Sequence, residues 1–308
     1  MNVVEYTEVD RYASFLPEER HRSIRPPTTT WWPWRDHRVH IARAAAPEAS
    51  ARVLVVHGAG GHAGALWPLA GIIAAENVDV LVPDLPLYGR TRCPRRRAVR
   101  YRHWVDLLCD LVIAEKAADP RPLILFGASM GGLLAYETAT RTGLVDAVMA
   151  TCLLDPKDPA ARESAARLPV MGRSAPRTLP LLSRIAGDVA VPIRWLSPMS
   201  AMSNDPALAR LCASDPMGGG SRVPLGFLAD WFTFEHTPPE RYRGPAVTLV
   251  HPGADRWTPP ENSERFAKRI AGPGHQLRLE NCGHYPVEEP GLTQLESAMR
   301  SVLDSVTG

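Results

Sequence analysis

The chain has 308 residues, of which 45% are hydrophobic and 22% are charged, and its formal net charge is +2. This length accommodates one large α/β domain with an insertion, or two small domains. The composition is ordinary for a globular protein. A nearly balanced charge argues against a dedicated nucleic-acid-binding protein.

Cysteine content and hydropathy bear on the compartment. The first 15 residues lack the basic segment and following apolar segment of a signal peptide. No apolar run approaches the roughly 18 residues that a membrane span needs. We therefore expect a cytoplasmic protein without a transmembrane segment, and no oligomeric state is indicated. Neither a disulfide framework nor a zinc site is expected, because the five cysteines are scattered and no two have CxxC spacing: Cys93, Cys109, Cys152, Cys212 and Cys282.

The first 36 residues form a polar, proline-rich extension. Because proline is unfavourable inside a helix, we expect no regular helix in this segment. It ends in a cluster of aromatic residues, Trp31, Trp32, Pro33 and Trp34. Three exposed tryptophans would form an unusually large apolar patch, so the cluster is expected to pack on the body of the protein.

Strand and helix signals alternate after this extension. Short apolar runs predict buried strands, and longer segments with apolar residues every three or four positions predict helices. In chain order the pattern predicts strand 52–56, helix 63–77, strand 78–82, helix 101–118, strand 123–126, helix 130–142 and strand 145–154.

The alternation stops between residues 156 and 242. This segment is rich in Pro, Ser and Met, contains the run Gly218, Gly219, Gly220, and is typical of short helices rather than strands. The glycine run indicates a flexible connection, and the whole segment is most simply an inserted helical cap.

Strand signals return after residue 242. The pattern predicts strand 246–250, helix 260–271, strand 276–279 and a closing helix 292–303. Alternating strands and helices indicate an α/β fold with a mostly parallel, doubly wound sheet. We expect the core to comprise residues 1–155 and 243–308, with the cap, residues 156–242, between its two parts.

The string GASMGG at 127–132 lies between a predicted strand and a predicted helix. A strand that turns sharply into a helix through G-x-S-x-G exposes its serine as a nucleophile, here Ser129. Gly127 and Gly131 are expected where a Cβ would clash with neighbouring backbone, and Gly132 where the helix packs closely. The helix also directs free backbone N–H groups at the position where an oxyanion would form.

Reactive residues follow the other strands as well. In parallel sheets ligands collect at the carboxyl ends of the strands. The residues found within five positions after successive predicted strands are His57 in HGAGG, Asp84, Ser129, Asp155, Asp255 and His284.

From about Val39 onward the chain resembles the α/β-hydrolase superfamily. The order Ser129, Asp255, His284 is the order of that family's catalytic triad. Three strings add to the resemblance: HGAGG looks like the HGxG oxyanion loop, ADRWTPP like the acid turn, and NCGHYPVEEP like the histidine loop. The resemblance implies an α/β-hydrolase fold with an inserted cap.

One branch of the superfamily is similar in more detail. The segment 203–231, together with HGAGGH and GASMGG, looks like monoacylglycerol lipases and lysophospholipases, which implies hydrolysis of a fatty acyl ester. The chain departs from this branch at DLPLYGRT, where Tyr88 stands in place of the usual histidine. That departure leaves the substrate open.

The chemistry of acyl transfer explains the residue types. A serine hydroxyl is a weak nucleophile, so His284 must accept its proton and later donate it to the leaving alkoxide. A carboxylate must orient the imidazole. Asp255 is our choice, and Asp155 is the alternative. The oxyanion hole is expected to consist of the backbone N–H groups of Met130 and Ala59.

Other conspicuous residues have structural interpretations. We expect His57 to hold the oxyanion loop and Asp84 to cap a turn beside the site, whereas His236 and His251 are candidates for lining the pocket. The basic run 90–102 is expected to be a solvated loop, with attraction of an anionic substrate or membrane surface as the alternative. Apolar cap residues are candidates for an acyl pocket or for the core of the cap: Trp195, Met199, Met202, Met217, Phe227 and Trp231.

The sequence therefore predicts a serine esterase or lipase-like hydrolase that cleaves a small-molecule carboxylic ester through an acyl-enzyme, without a metal or organic cofactor. A thioesterase, an amidase or a C–C bond hydrolase would use the same triad. A non-catalytic ligand receptor on a hydrolase scaffold is the alternative of another class, because fold alone does not establish activity.

Overall fold

The structure is a computed structural model that describes residues 4–308, and side chains from residue 9 onward. Residues 1–3 of the amino-terminal extension lie outside the described part. The described residues, 4–308, contain ten strands: β1 (Thr28–Trp34), β2 (His37–Ala44), β3 (Arg52–Val56), β4 (Asp79–Pro83), β5 (Leu123–Gly127), β6 (Ala147–Ala150), β7 (Ala190–Pro192), β8 (Arg222–Pro224), β9 (Val247–Pro252) and β10 (Gly274–Leu279).

Eight strands form one sheet in the order β1-β2-β4-β3-β5-β6-β9-β10. The strands from β4 to β10 along this order are parallel, whereas β1 and β2 are antiparallel additions at one edge. Every residue of β3, β4 and β5 is buried. Their continuous apolar runs are explained by helices that cover both faces of the sheet.

Residues 4–308 contain twelve α-helices: α1 (Val4–Ala13), α2 (Glu18–Ser23), α3 (Ala63–Ala75), α4 (Tyr101–Ala118), α5 (Met130–Thr142), α6 (Pro159–Ala165), α7 (Pro169–Ala186), α8 (Ile193–Leu196), α9 (Pro206–Ser214), α10 (Leu225–Thr233), α11 (Pro260–Ala267) and α12 (Gly291–Thr307). Within residues 4–308, none is both long and apolar enough to cross a lipid bilayer.

The two faces of the sheet have separate apolar cores. Trp104 of α4, Tyr136 of α5 and Phe266 of α11 belong to one core, and Trp67 of α3 and Met299 of α12 belong to the other. Helices α6 to α10 lie between β6 and β9 in the chain and form the inserted helical region. The predicted mostly parallel sheet with a helical insertion is therefore present.

The expectation of no regular helix in the first 36 residues is wrong. Helices α1 and α2 both form there, because the prolines lie outside them: Pro17 directly precedes α2, and Pro26 and Pro27 follow it. Proline is tolerated at helix ends, where the missing N–H is not needed.

The aromatic cluster after these helices lies on β1. Trp34 is buried and donates its indole N–H to Asp110 at 2.7 Å. Trp31 is half-buried beneath the guanidinium groups of Arg38 and Arg92, at 5.1 and 5.4 Å from the ring centroid. The cluster thus packs on the body of the protein.

The inserted region also differs from the expectation that residues 156–242 form short helices and no strands. β7 and β8 pair in a separate antiparallel sheet, and α7 is 18 residues long although it contains Pro176 and Pro180. The glycine run is a closely packed turn, since a Cβ on Gly218 would lie 2.6 Å from the carbonyl oxygen of Gly60. The predicted flexible connection is therefore not what these glycines form.

Candidate active site

Ser129 lies at the turn between β5 and α5, with backbone angles φ 57° and ψ −128°. A positive φ is uncommon for a residue other than glycine and marks a strained turn. The glycines allow this turn, because a Cβ on Gly127 would overlap the Gly131 carbonyl and a Cβ on Gly131 would overlap the Val56 carbonyl. The backbone N–H of Ser129 donates to the Thr151 hydroxyl at 3.0 Å.

His284 connects Ser129 to Asp255. The Nε2 atom of His284 lies 2.9 Å from the Ser129 Oγ, and its Nδ1 lies 2.8 Å from Oδ2 of Asp255. Because an ionised carboxylate only accepts hydrogen bonds, Nδ1 carries the proton and Nε2 is left to accept from the serine hydroxyl. Residues far apart in sequence thus form one chain of hydrogen bonds at the carboxyl ends of β5 and β9.

Asp255 is fixed by the turn that follows it. One oxygen accepts the backbone N–H groups of Trp257 and Thr258, at 2.7 and 3.0 Å, and the other accepts the Thr258 hydroxyl at 2.7 Å. Burial acts to raise the pKa of Asp255, but its electrostatic interaction and hydrogen bond with His284 and the Thr258 contacts outweigh this effect and lower the pKa to about 2. The carboxylate is therefore ionised at neutral pH.

Thr258 was not singled out from the sequence. Its hydroxyl lies 3.2 Å from Nδ1 of His284 as well as 2.7 Å from Asp255. The available signal was its position three residues after the acid, immediately before Pro259 and Pro260.

The alternative acid, Asp155, does not reach His284 by any hydrogen bond among residues 4–308. Its carboxylate accepts the backbone N–H of Lys157 at 2.8 Å, and its carbonyl accepts the N–H of Asp158. Asp155 therefore closes a turn at the start of the inserted region.

His57 stabilises the loop that follows β3. It is fully buried, its Nε2 accepts the backbone N–H of Leu85 at 2.9 Å, and its Nδ1 donates to the carbonyl of Gly58 at 2.8 Å. Burial lowers its pKa to about 4, so the ring is neutral at pH 7. The structural role expected for His57 agrees with these contacts.

The predicted oxyanion-hole residues, Ala59 and Met130, line the same cavity as Ser129. In the described part of the chain neither backbone N–H donates a hydrogen bond. Gly58 brings the loop close to α5, because a Cβ there would lie 2.9 Å from the Met130 nitrogen. Two unused donors thus flank the serine.

Asp84 organises a neighbouring turn rather than the serine site. Its carboxylate accepts from Nδ1 of His40 at 2.7 Å and from the backbone N–H groups of Ala63 and Arg90, at 2.6 and 2.8 Å. Burial acts to raise the pKa of Asp84, but these partners outweigh it and lower the pKa to about 2.

His236 and His251 do not line the cavity, contrary to expectation. The Tyr101 hydroxyl donates to Nε2 of His236 at 2.9 Å, and burial lowers the His236 pKa to about 3. His251 is buried beside the Pro252 carbonyl, at 3.1 Å from its Nδ1. Both rings are part of the core.

A cavity of about 300 Å³ opens above Ser129. Its walls are mostly apolar and come from the inserted region and from the acid turn: Leu179, Leu182, Phe227, Leu228, Trp231, Phe232 and Trp257. Phe227 and Trp231 line this cavity and also belong to a buried apolar core, so both interpretations of these residues apply. Met199 and Met202 instead pack in a core with Tyr12 and Leu16.

A buried polar cluster joins α1, the loop that follows β3 and the inserted region. Asp215 accepts from Nε2 of His62 at 3.0 Å and from the Tyr12 hydroxyl at 2.7 Å. Burial acts to raise the Asp215 pKa, but the His62 contact outweighs it, so the pKa is lowered. Through His62, the cluster fixes the end of the loop that contains Gly60 and Gly61.

The cysteines and potential metal ligands add no further site. All five cysteines are unpaired. Throughout residues 4–308, no group of three or more His, Cys, Asp or Glu side chains is placed to hold a metal ion.

An eight-stranded, mostly parallel sheet with helices on both faces and an inserted helical region is the architecture of α/β hydrolases. The chain belongs to the alpha/beta hydrolase family, whose sequence model matches residues 53–293. The predicted α/β-hydrolase fold is thus confirmed.

Individual relatives are more distant. Protein phosphatase methylesterase 1 of Homo sapiens is 27% identical over 128 residues, which are 41% of this chain and 33% of that protein. The match therefore spans about a third of the length of the curated relatives.

Solved structures share the fold over most of the chain. A soluble variant of the Saccharomyces cerevisiae monoglyceride lipase, in complex with a substrate analogue, superposes with a TM-score of 0.75 at 16% identity, covering 92% of this chain and 97% of that one. The Paleococcus ferrophilus monoacylglycerol lipase superposes with a TM-score of 0.64 at 22% identity, covering 87% and 98%.

Proposed function

We propose that the protein is a serine hydrolase that cleaves a carboxylic ester through an acyl-enzyme on Ser129. The observation that carries this proposal is the hydrogen-bond chain from the Ser129 hydroxyl through His284 to ionised Asp255. The site lies under an apolar cavity, on a fold whose solved members include monoglyceride lipases.

Each proposed role follows from an atom's position. Ser129 Oγ attacks the ester carbonyl while Nε2 of His284 takes its proton, and Asp255 stabilises the resulting imidazolium. The N–H groups of Met130 and Ala59 donate to the oxyanion. His284 then protonates the departing alkoxide, and a water molecule activated by the same ring hydrolyses the acyl-enzyme.

The cavity supports an apolar acyl group as the preferred substrate part. Its walls offer aliphatic and aromatic side chains, and Ser174, Ser197 and Thr178 are among its few polar residues. Transfer of an acyl chain from water to such a surface is favourable by about 0.8 kcal/mol per methylene group. The methylesterase relatives also bear the name of a carboxylic-ester hydrolase.

The proposal is tested by labelling with a fluorophosphonate and by a panel of p-nitrophenyl esters of graded chain length, together with a thioester and an anilide. We expect one label on Ser129, and loss of label and of ester hydrolysis in Ser129→Ala. Ser174→Ala is the matched control, because Ser174 lines the same cavity and its hydroxyl contacts only the Met171 carbonyl. A label on another residue, or preference for the thioester or anilide, would contradict the proposal.

We also propose the domain limits and the location. The limits are 1–155 and 243–308 for the core and 156–242 for the cap, supported by the placement of α6 to α10 between β6 and β9. A cytoplasmic location is supported by five unpaired cysteines. Limited proteolysis tests the domain limits. Thiol titration of the protein recovered from fractionated cells tests the cytoplasmic location.

A further inference from the structure

Most of the large apolar side chains that are exposed lie in the inserted region. Ten large apolar side chains are well exposed in the described part of the chain, and seven of them lie between residues 168 and 195. On α7, Leu181, Leu182 and Ile185 are 62%, 53% and 95% exposed. Their spacing of three and four residues places them on one face of the helix, which we call the α7 stripe.

The α7 stripe adjoins the cavity above Ser129. Leu182 is exposed to solvent and also lines that cavity. Leu179, one turn earlier on α7, lines the cavity too. The cavity therefore reaches the surface beside the stripe. An apolar acyl chain that contacts the stripe could therefore pass into the cavity without being exposed to water.

Arginines surround the end of the stripe. Arg97, Arg100, Arg184 and Arg222 line a surface depression of about 640 Å³ together with Ile185. Among these four, Arg100 alone has a carboxylate partner in the described residues, Asp188 at 3.6 Å. Part of the basic run predicted from the sequence thus contributes uncompensated positive charge next to exposed apolar side chains.

We propose that the α7 stripe and this arginine cluster dock the protein onto an anionic lipid surface. Leu181, Leu182 and Ile185 would enter the interface, and the positively charged guanidinium groups would bind lipid phosphates through the N–H donors that are not used by the Ala190, Arg97 and Val99 carbonyls. The arginines decide in favour of an anionic lipid over a neutral one, since each adds about a fivefold gain in partitioning near a negative surface. Binding is peripheral and independent of the proposed catalysis.

Vesicle co-sedimentation of the full chain tests this proposal. Neutral vesicles of phosphatidylcholine are compared with vesicles in which about one third of the lipid is phosphatidylserine. The Ser129→Ala variant is included, because docking does not require the serine. We expect binding to the anionic vesicles by both proteins, and weakening by added salt.

Two double variants locate the surface. Arg184→Gln with Arg222→Gln is expected to weaken binding to anionic vesicles roughly 25-fold, and Leu181→Ser with Ile185→Ser at least about tenfold. The matched controls are exposed residues outside the inserted region: Arg243→Gln with Arg269→Gln for charge, and Ile113→Ser with Leu144→Ser for apolar surface. Hydrolysis of a water-soluble short-chain ester should be unchanged in all four.

The proposal fails if the protein does not bind anionic vesicles, if neutral vesicles bind it equally, or if the controls weaken binding as much as the α7 variants do. It also fails if sedimentation analysis shows that the α7 variants abolish a dimer while vesicle binding persists, because the stripe would then be a contact between copies of the chain. None of these outcomes depends on whether Ser129 hydrolyses an ester.

Discussion

Gly58 and Met130 approach each other so closely that a methyl group on Gly58 would lie 2.9 Å from the Met130 backbone nitrogen. Gly58 is held in place by its carbonyl, which accepts from the buried ring of His57. The loop after β3 and the first turn of α5 are thus fitted to each other directly beside Ser129. Absence of a side chain at Gly58 keeps the Met130 N–H accessible.

The first prediction concerns this contact. In Gly58→Ala the new methyl group must displace the Met130 amide, so we expect turnover to fall by about 100-fold or more. Circular dichroism and thermal unfolding should show a folded protein. Gly272→Ala is the control, because a Cβ there meets only the Tyr242 ring edge at 3.8 Å. Unchanged turnover in Gly58→Ala would contradict the proposal that the Met130 N–H donates to the oxyanion.

The second prediction separates the two candidate acids. Asp255→Asn should lower turnover by roughly four orders of magnitude, because the amide no longer holds His284 in the required tautomer. Asp155→Asn should change turnover far less, since the hydrogen bonds that Asp155 makes in the described part of the chain stay within its own turn. Steady-state rates on one ester decide the ranking, and the reverse ranking would exclude Asp255 as the acid.

The third prediction concerns the cavity walls. Ala175 lies on α7 and lines the cavity of about 300 Å³. Ala175→Phe should fill part of this volume and shift the preferred p-nitrophenyl ester to a shorter acyl chain, while labelling of Ser129 by a small fluorophosphonate persists. Ala118→Phe, at the exposed end of α4, is the matched control. If chain-length preference is the same in all three proteins, the acyl group does not occupy this cavity.

The fourth prediction is a pH dependence of stability. The pKa of Asp84 is about 2 in the folded protein and ordinarily 3.8, so ionised Asp84 stabilises the fold above about pH 4. This contribution, about 2 kcal/mol, is lost as the pH falls toward 2. Urea unfolding should show that Asp84→Asn is less stable than wild type at pH 7 and loses less stability on acidification.

The control for this measurement is Asp10→Asn, on the exposed side of α1. It should follow the wild-type curve at every pH. An Asp84→Asn variant with the wild-type acid dependence would show that other carboxylates, such as Asp255, account for it.

Local signals were sufficient for the strand–turn–helix around Ser129. The apolar run of β5 and the glycines at 127, 131 and 132 form a contiguous pattern that can be recognised without their distant neighbours, although the backbone that excludes a Cβ at Gly131 and Gly132 belongs to Val56 and Cys152. The positions of Asp255 and His284 after predicted strands put them at the same sheet edge as Ser129, and the resemblance to the α/β-hydrolase superfamily singled them out there. The structure places them within hydrogen-bond distance.

Features that depend on distant partners were not visible in this way. The amino-terminal helices were missed because proline spacing was read without the apolar partners of α1, including Leu69 and Ile72 on α3. The packed glycine turn at 218–220 looks flexible in sequence because Gly60, against which Gly218 packs, lies far away in the chain. Periodicity reports local geometry, and such contacts are set by tertiary packing.

The hydrogen bond from Tyr12 to Asp215 makes the folding unit larger than the segment recognised by the family model. A protein shortened to residues 53–293 would lose Tyr12 and Leu16 from the core around Leu69, and β1 and β2 from the sheet edge. Asp215 would keep its hydrogen bond with His62, but the loss of Tyr12 would expose this buried pair to water. Expression boundaries for this protein should therefore begin before α1, even though the recognisable family segment starts at β3.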